Sequence, residues 1–469
     1  MIKIKSIKFY NHEFFGNQSF DFTIDGETPA NSIIFAGENC SGKTKMLEEL
    51  YNICNKTFYH SSMNYSHKYC EMVVDLSSEN YCAFENENLK IDEVILTVFT
   101  GSPNGLNNQF TFFSGGNKID NIKKIGITNS LSSFRINGLY SNVDINYKPR
   151  SNIQGITTKT LDNDENKIPS DMALEVIQLL VDIAIEDSCE LDDWVSSHKN
   201  EVPPEEVFHP RLKRFTNAFE KMFGDTIKYK EIRKNSIPIF EKNNQEIEIS
   251  SLSSGEKQVI FRGVYLLRNK NSLKGVPAFI DEPELSMHPK WEEKIFEYYK
   301  NVFSDEKGQT SQMFIATHSE HILSNALNND DALVIKIQNG FNQRFFKDGP
   351  GIVLPTITLA EIKYSIFDLY TADFHTLLYG YIQQHLVFSD DGKVIESPTI
   401  LQTDKWLCKQ NVSMKEYKIN GKYTRHYDAL STYIRNCIDH PDSEHEYTVG
   451  ELSESINEMI RIIKIYDFD

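Results

Sequence analysis

Residues 31–44 read NSIIFAGENCSGKT. The short apolar run Ile33-Ile34-Phe35-Ala36 leads straight into a loop with a glycine at each end, Gly37 and Gly42. That pattern predicts a buried strand followed by a tight turn. Next, TKMLEELYNIC (44–54) places its apolar residues at helical spacing. Strand and helix frame Gly37-Glu38-Asn39-Cys40-Ser41-Gly42-Lys43-Thr44, which matches the phosphate-loop pattern G-x-x-x-x-G-K-S/T. In such a loop the backbone N–H groups converge on an anion at the positive end of the helix. Lys43 is placed to supply a cation for the β/γ-phosphates of a nucleotide, and the Thr44 hydroxyl a ligand for Mg²⁺.

Three later stretches complete a site around that loop. VPAFIDEPE (276–284) is an apolar strand ending in Asp281-Glu282. One acidic residue there can serve Mg²⁺ and the other can orient or deprotonate an attacking water. MFIAT (313–317) is a second short strand, ending at Thr317-His318-Ser319, which puts an imidazole within reach of a γ-phosphate. Between the loop and these strands, LSSGEKQ (252–258) precedes the helical run VIFRGVYLLRN. Ser253, Gly255 and Glu256 at that helix start form a second anion site. One phosphate end does not need two separated helix N-termini from one subunit, so the sequence predicts that each copy caps the nucleotide held by its twin.

GENCSGKT, LSSGEKQ, FIDEPELSMHP and IATHS, in this order, resemble the motif set of ABC-type ATPases. The resemblance is to the SMC- and OLD-like branch, whose acidic motif continues into a D-E-P-E…H-P run, here Asp281, Glu282, Pro283, Glu284, His288 and Pro289. It implies an α/β fold: an ABC-type ATPase head with a mixed sheet and flanking helices, a β/helical insertion, and a mostly helical C-terminal module. It implies ATP and Mg²⁺ as cofactors, with Lys43 and Thr44 on phosphate and metal and Asp281 on the metal. Glu282 becomes the general base, His318 the γ-phosphate switch, and Ser253 with Gly255 the signature acting in trans. Two departures stand out. Cys40 occupies a position that is usually glycine in this branch, and the Mg²⁺-sensing glutamine has only Gln154 as a candidate.

On this reading residues 1–50 form the N-terminal part of the head and 246–350 its C-terminal part. Residues 51–245 are a β-rich then helical insertion, and 357–469 a separate helical module. Within 227–251, IKYKEIRK and QEIEISS read as a strand pair about a turn at Asn243-Asn244. The insertion lacks sustained heptads, which argues against SMC-type coiled-coil arms. At 469 residues with 40% hydrophobic content, the chain can bury two or three cores. The seven cysteines form no CxxC pair, and the N-terminal MIKIKSIKFY alternates like a strand rather than a signal peptide. No stretch is apolar enough for a membrane span, so a cytoplasmic protein is expected. The net charge of −18 argues against a protein that coats nucleic acid, although a local contact remains open.

In the C-terminal module, YDALSTYIRNCIDHPD (427–442) carries Arg435, Asn436 and His440. A cation and a titratable imidazole on one helix can share a phosphodiester. The pattern resembles the R-N-x3-H motif of HEPN ribonucleases, which are fused to ABC-type ATPases in anticodon nucleases of the PrrC and RloC kind. A second resemblance, to the PtuA ATPases of Septu and retron-associated antiviral systems, implies instead that the chain controls a separately encoded HNH nuclease. Either way a homodimer or higher homo-oligomer through the heads is expected. A DNA-repair ATPase and a non-hydrolysing ATP-clamped head are the remaining alternatives.

Overall fold

The computed structural model describes residues 1–55, 67–78, 82–83, 86–102, 105–119, 136–141, 172–199, 201–203, 210–233, 237–267, 275–285, 287–306, 308–338, 341–347, 349, 351–390, 393–396, 398–419, 425–441 and 445–466. Gln154 lies outside them. The chain divides into two compact units, Met1–Phe346 and Lys347–Asp469.

The first unit is built on two six-stranded sheets. One is antiparallel: β2 (Ser19–Asp21), β1 (Lys3–Phe9), β4 (His67–Asp75), β7 (Glu93–Ser102), β8 (Gly105–Ser114) and β9 (Asn117–Ile119). The small hairpin β5 (Cys82–Ala83) and β6 (Asn86–Lys90) lies between β4 and β7 in sequence. The other sheet runs β10 (Leu139–Ser141), β14 (Ala278–Asp281), β17 (Met313–Ala316), β3 (Ser32–Ala36), β18 (Ala332–Gln338) and β19 (Phe341–Phe345). All its neighbours are parallel except β19. Every residue of β3, β14 and β17 is buried, as expected of parallel strands covered on both faces. In β4 burial alternates, because only one face of the antiparallel sheet meets the core.

Helix α1 (Lys43–Asn55) shares one core with both sheets: Met46, Leu47, Leu50 and Ile53 join Ile4, Phe9, Phe20 and Val74 from one and Phe35, Phe314 and Ile335 from the other. Buried Gln312 stitches the sheets together. Its Oε1 accepts from the Ile4 N–H at 2.7 Å, and its Nε2 donates to the carbonyls of Ile4 and Ala30 at 3.1 and 2.9 Å.

The remaining elements of the unit are α2 (Met172–Ser197), α3 (Pro210–Phe223), β11 (Ile227–Ile232), β12 (Pro238–Lys242), β13 (Gln245–Glu248), α4 (Ser254–Leu266), α5 (Pro289–Val302), the β15–β16 hairpin (Ser304–Asp305 and Gly308–Gln309) and α6 (Glu320–Leu327). Helices α4 and α5 approach closely at Gly263, where an added Cβ would lie 2.0 Å from the Tyr298 hydroxyl. That hydroxyl donates to the Val259 carbonyl at 3.0 Å.

One sequence expectation changes here, and the other gains detail. Within residues 51–245, β4, β7 and β8 extend the sheet begun by β1, and β10 joins the parallel sheet beside β14. The expected strand pair of 227–251 is a three-stranded sheet, because β12 intervenes. Asn243 and Asn244, both at positive φ (52° and 62°), form the turn between β12 and β13.

The second unit has its own core of Phe374, Leu378, Ile434, Ile456 and Met459 among others. Helices α7 (Leu359–Ser365), α8 (Ala372–His385), α9 (Ile400–Leu407), α10 (Leu430–Asp439) and α11 (Val449–Tyr466) agree with the helical expectation. Two hairpins were not foreseen: β20–β21 (Val387–Asp390 and Lys393–Glu396) and β22–β23 (Met414–Ile419 and Arg425–Ala429). Among the described residues no helix is long and apolar enough to cross a membrane.

Candidate functional site

The C-terminal ends of β14, β17 and β3 lie side by side, since Asp281 pairs with Ala316 and Ala316 with Phe35. The loops beyond these ends carry the acidic pair, the histidine and the glycine loop. Open parallel sheets bind ligands at this edge.

The glycine loop needs its glycines. Gly37 has φ +144°, and an added Cβ would sit 2.3 Å from the Ile337 carbonyl oxygen. Gly42 has φ +103°, with Phe14 filling the space where a Cβ would go. Cys40 takes φ +64°, which explains why glycine is the easier residue at that position. Glu38, Asn39 and Cys40 are exposed at the rim, whereas Ser41 is buried and its Oγ has no partner. Lys43 opens α1 and folds back over the loop, its Nζ donating to the carbonyls of Gly37 (3.1 Å) and Glu38 (3.0 Å). Burial lowers its pKa, against the pull of Glu282, Asp281 and Glu284. A buried ammonium that donates to two loop carbonyls is well suited to an incoming polyanion.

Thr44 Oγ1 donates to Asp281 Oδ1 at 3.0 Å, across 237 residues of sequence. The other carboxylate oxygen, Asp281 Oδ2, is buried with no partner. Burial pushes this carboxyl up to about 6. An unpaired carboxylate oxygen beside a threonine hydroxyl is a hard-oxygen donor set, and it fits Mg²⁺.

Glu282 Oε1 lies 3.1 Å from His318 Nε2. Burial pushes the Glu282 carboxyl up, but hydrogen bonds to His318 and Glu284 and the charges of His318 and Lys43 outweigh this and hold it below its ordinary value. Its backbone has φ +43°, a conformation that costs a non-glycine residue about 1–3 kcal/mol and persists only where surroundings impose it. Its N–H donates to the Ala316 carbonyl at 2.9 Å, and buried Arg262 of α4 donates from one guanidinium nitrogen to the carbonyls of Asp281 (2.7 Å) and Glu282 (3.1 Å). Arg262 was missed in the sequence. Its signal is an arginine inside the apolar run VIFRGVYLL.

Ser253 caps α4 in a capping box: its Oγ accepts from the Glu256 N–H at 3.4 Å, and Glu256 Oε2 accepts from the Ser253 N–H at 2.8 Å. Glu256 is buried and paired with Lys242 at 2.8 Å, so its carboxylate serves the helix start. Ser253 is exposed and Gly255 buried. No described hydrogen bond or ion pair joins Ser253, Gly255 or Glu256 to the glycine loop of the same chain. Ser253 lies nine residues before Arg262, about 13 Å along the helix axis. His288 is the N-cap of α5, its Nδ1 accepting from the Lys290 N–H at 3.2 Å.

In the second unit, Arg435 pairs with Asp439 at 2.5 Å and donates to Asn436 Oδ1 at 3.1 Å. Asn436 is buried, while His440 is exposed at the C-cap of α10, outside the helix. His440 meets Asn436 through its backbone N–H, which donates to the Asn436 carbonyl at 2.9 Å, and no described side-chain hydrogen bond joins its ring to Arg435 or Asn436.

Residues 141–323 match the family model described as AAA ATPase domain, a stretch that takes in Ser253, Asp281, Glu282 and His318. A curated relative, "Retron Vc95 probable ATPase" of Vibrio cholerae serotype O1 biovar El Tor, is 34% identical over 113 residues. That alignment covers 22% of this chain and only 20% of the relative. Among solved structures, the Smc head domain with an extended coiled coil bound to the C-terminal domain of ScpA, from Pyrococcus furiosus, aligns with a TM-score of 0.38 at 12% identity, over 73% of this chain and 96% of that one. The SMC head domain from Thermotoga maritima aligns with a TM-score of 0.35 at 11% identity, over 73% and 98%. TM-scores this low leave the assignment resting on the motifs, their geometry and the family match. Those together support an ATPase domain.

Proposed function

We propose that the chain binds Mg·ATP at the 37–44 loop and hydrolyses it in a head-to-head dimer, and that this cycle gates a separately encoded nuclease in antiviral defence. The observation that carries the reading is the convergence of Lys43, the Thr44–Asp281 pair and the Glu282–His318 pair on the ends of three adjacent strands. Lys43 exchanges its two loop carbonyls for phosphate oxygens. Thr44 and Asp281 hold Mg²⁺, which when bound neutralises phosphate charge. Glu282, kept ionised, accepts the proton of the attacking water, and His318 holds the base in place and reaches toward the γ-phosphate. Ser253 and Gly255, at the positive end of α4, cap the nucleotide of the partner copy. The retron-named relative supports the defence role. The Arg435–Asp439 pairing gives the ribonuclease alternative no comparable support.

Glu282→Gln tests the proposal. It should lower ATP turnover about 10²–10⁴-fold, the usual worth of a general base, while leaving ATP binding intact. It should also accumulate an ATP-dependent dimer, read by light scattering. Turnover unchanged in Glu282→Gln would refute the role of Glu282, and a monomer at saturating ATP would refute the paired site.

A further inference from the structure

We propose that Glu284 is a positioning residue for this hydrolysis: its carboxyl group ties the loop after β14 to the loop after β17 and so fixes His318 against Glu282. The inference rests on the reading of Glu282 and His318 given above. The parallel ladder between the two strands ends at Asp281 and Ala316, with one last bond from the Glu282 N–H to the Ala316 carbonyl. Beyond that point no backbone pairing holds the loops together in the described structure. The Glu284 side chain takes over. Its Oε1 accepts from Thr317 Oγ1 at 2.5 Å, from the His318 N–H at 2.8 Å and from the Ser319 N–H at 3.1 Å. One oxygen thus gathers three donors from three consecutive residues, with His318 at the centre. The His318 ring, fixed from behind by its own backbone, reaches Glu282 at 3.1 Å.

The other oxygen, Glu284 Oε2, is buried and has no donor. Burial and the negative charge of Glu282 both push the Glu284 carboxyl upward. A neutral acid suits the clamp, because it accepts at Oε1 without adding a second charge beside the base. Glutamine reproduces that neutral form, with a carbonyl oxygen for the three donors and a nitrogen in place of Oε2. Alanine removes the clamp.

The experiment compares Glu284→Gln, Glu284→Ala and the wild-type chain in steady-state ATP hydrolysis, with nucleotide affinity measured separately. Glu284→Gln should retain kcat within about 3-fold. Glu284→Ala should lose about 100-fold in kcat, the scale of an ångström misplacement, while affinity for ATP stays within about 3-fold because Lys43 and Thr44 are untouched. A second readout does not need turnover. The His318 ring resonance in a histidine-labelled sample, assigned with His318→Ala, should shift in Glu284→Ala and stay in place in Glu284→Gln. Full kcat with an unmoved His318 resonance in Glu284→Ala would overturn the proposal. So would a Glu284→Gln variant as inactive as Glu282→Gln, which would make Glu284 an ionised participant. If the wild-type chain binds ATP without hydrolysing it, the hydrolysis reading fails, and the His318 resonance still decides whether Glu284 positions the ring.

Discussion

Asp281→Asn should make the nucleotide-free protein more stable while disabling its response to Mg²⁺. The buried carboxyl is raised from 3.8 to about 6 in the folded chain, chiefly by desolvation and also by the charges of Glu282 and Glu48. Each pKa unit is worth about 1.4 kcal/mol, so holding Asp281 ionised at pH 7 costs the fold about 3 kcal/mol relative to the protonated acid. Asparagine stands in for that protonated form. It keeps an oxygen for the Thr44 hydroxyl and leaves one buried polar atom unpaired, as Asp281 Oδ2 already is. With an unfolding entropy of about 2.1 cal/mol/K per residue over the 346 residues of the first unit, the gain corresponds to a rise of about 4 °C in Tm. The sign follows from the raised pKa: protonation removes the penalty as pH falls from above 6 toward 3.8. The advantage of the variant should therefore shrink to about half by pH 5. Added Mg²⁺ should raise the Tm of the wild-type protein and leave that of the variant unchanged. Thermal unfolding at pH 7 and pH 5, with and without Mg²⁺, measures all of this. A variant less stable than wild type at pH 7, or one that still responds to Mg²⁺, would refute the assignment of Asp281 as a strained metal ligand.

Two further outcomes concern the fold around the sites. His375 is buried in the second unit, with Nε2 3.0 Å from Ser455 Oγ and Nδ1 unpartnered, and burial lowers its pKa to about 3. Because the unfolded chain protonates near 6.5 and the folded chain does not, stability is lost as pH falls below 6.5. His375 should account for about 2 kcal/mol of loss between pH 7 and pH 5, and urea unfolding of His375→Gln at the two pH values should lack that increment. Gly37→Ala should cost more than Gly26→Ala, since both sit at positive φ but only the first meets a backbone oxygen at 2.3 Å. About 1 kcal/mol is expected for strain alone at Gly26 and at least twice that at Gly37, and equal Tm losses would show that the loop yields.

Much of the parallel sheet was legible because its strands are buried on both faces and so appear as unbroken apolar runs: SIIFA, AFID and MFIA in β3, β14 and β17. The antiparallel sheet was harder. EMVVDL and DEVILTVFT read as strands, but nothing local says that the first of them, besides pairing with the second, also pairs with the N-terminal β1. Strand pairing is a long-range property, and here it depends on buried groups such as Gln312, whose partners Ile4 and Ala30 lie about 300 residues away. Strand β12 was overlooked because Pro238 and the turn-forming asparagines punctuate the segment, although proline is acceptable at the first residue of a strand.

The candidate site shows the same division between local and distant information. The phosphate-loop residues are contiguous, so eight consecutive residues carry their chemistry. Asp281, Glu282 and His318 were readable because each ends an apolar strand. Arg262 and Glu284 were not assigned roles, because both act on backbone groups of other segments, and a contact to a carbonyl or an N–H leaves no residue-type pattern at the far end. Arg435 and His440 show how little residue spacing alone decides. Five residues on an ideal helix turn through about 140° beyond one full revolution and rise about 7.5 Å, so the spacing does not by itself bring two side chains onto one face. The four-residue step from Arg435 to Asp439 does, and the guanidinium is paired with the carboxylate that helical geometry puts next to it.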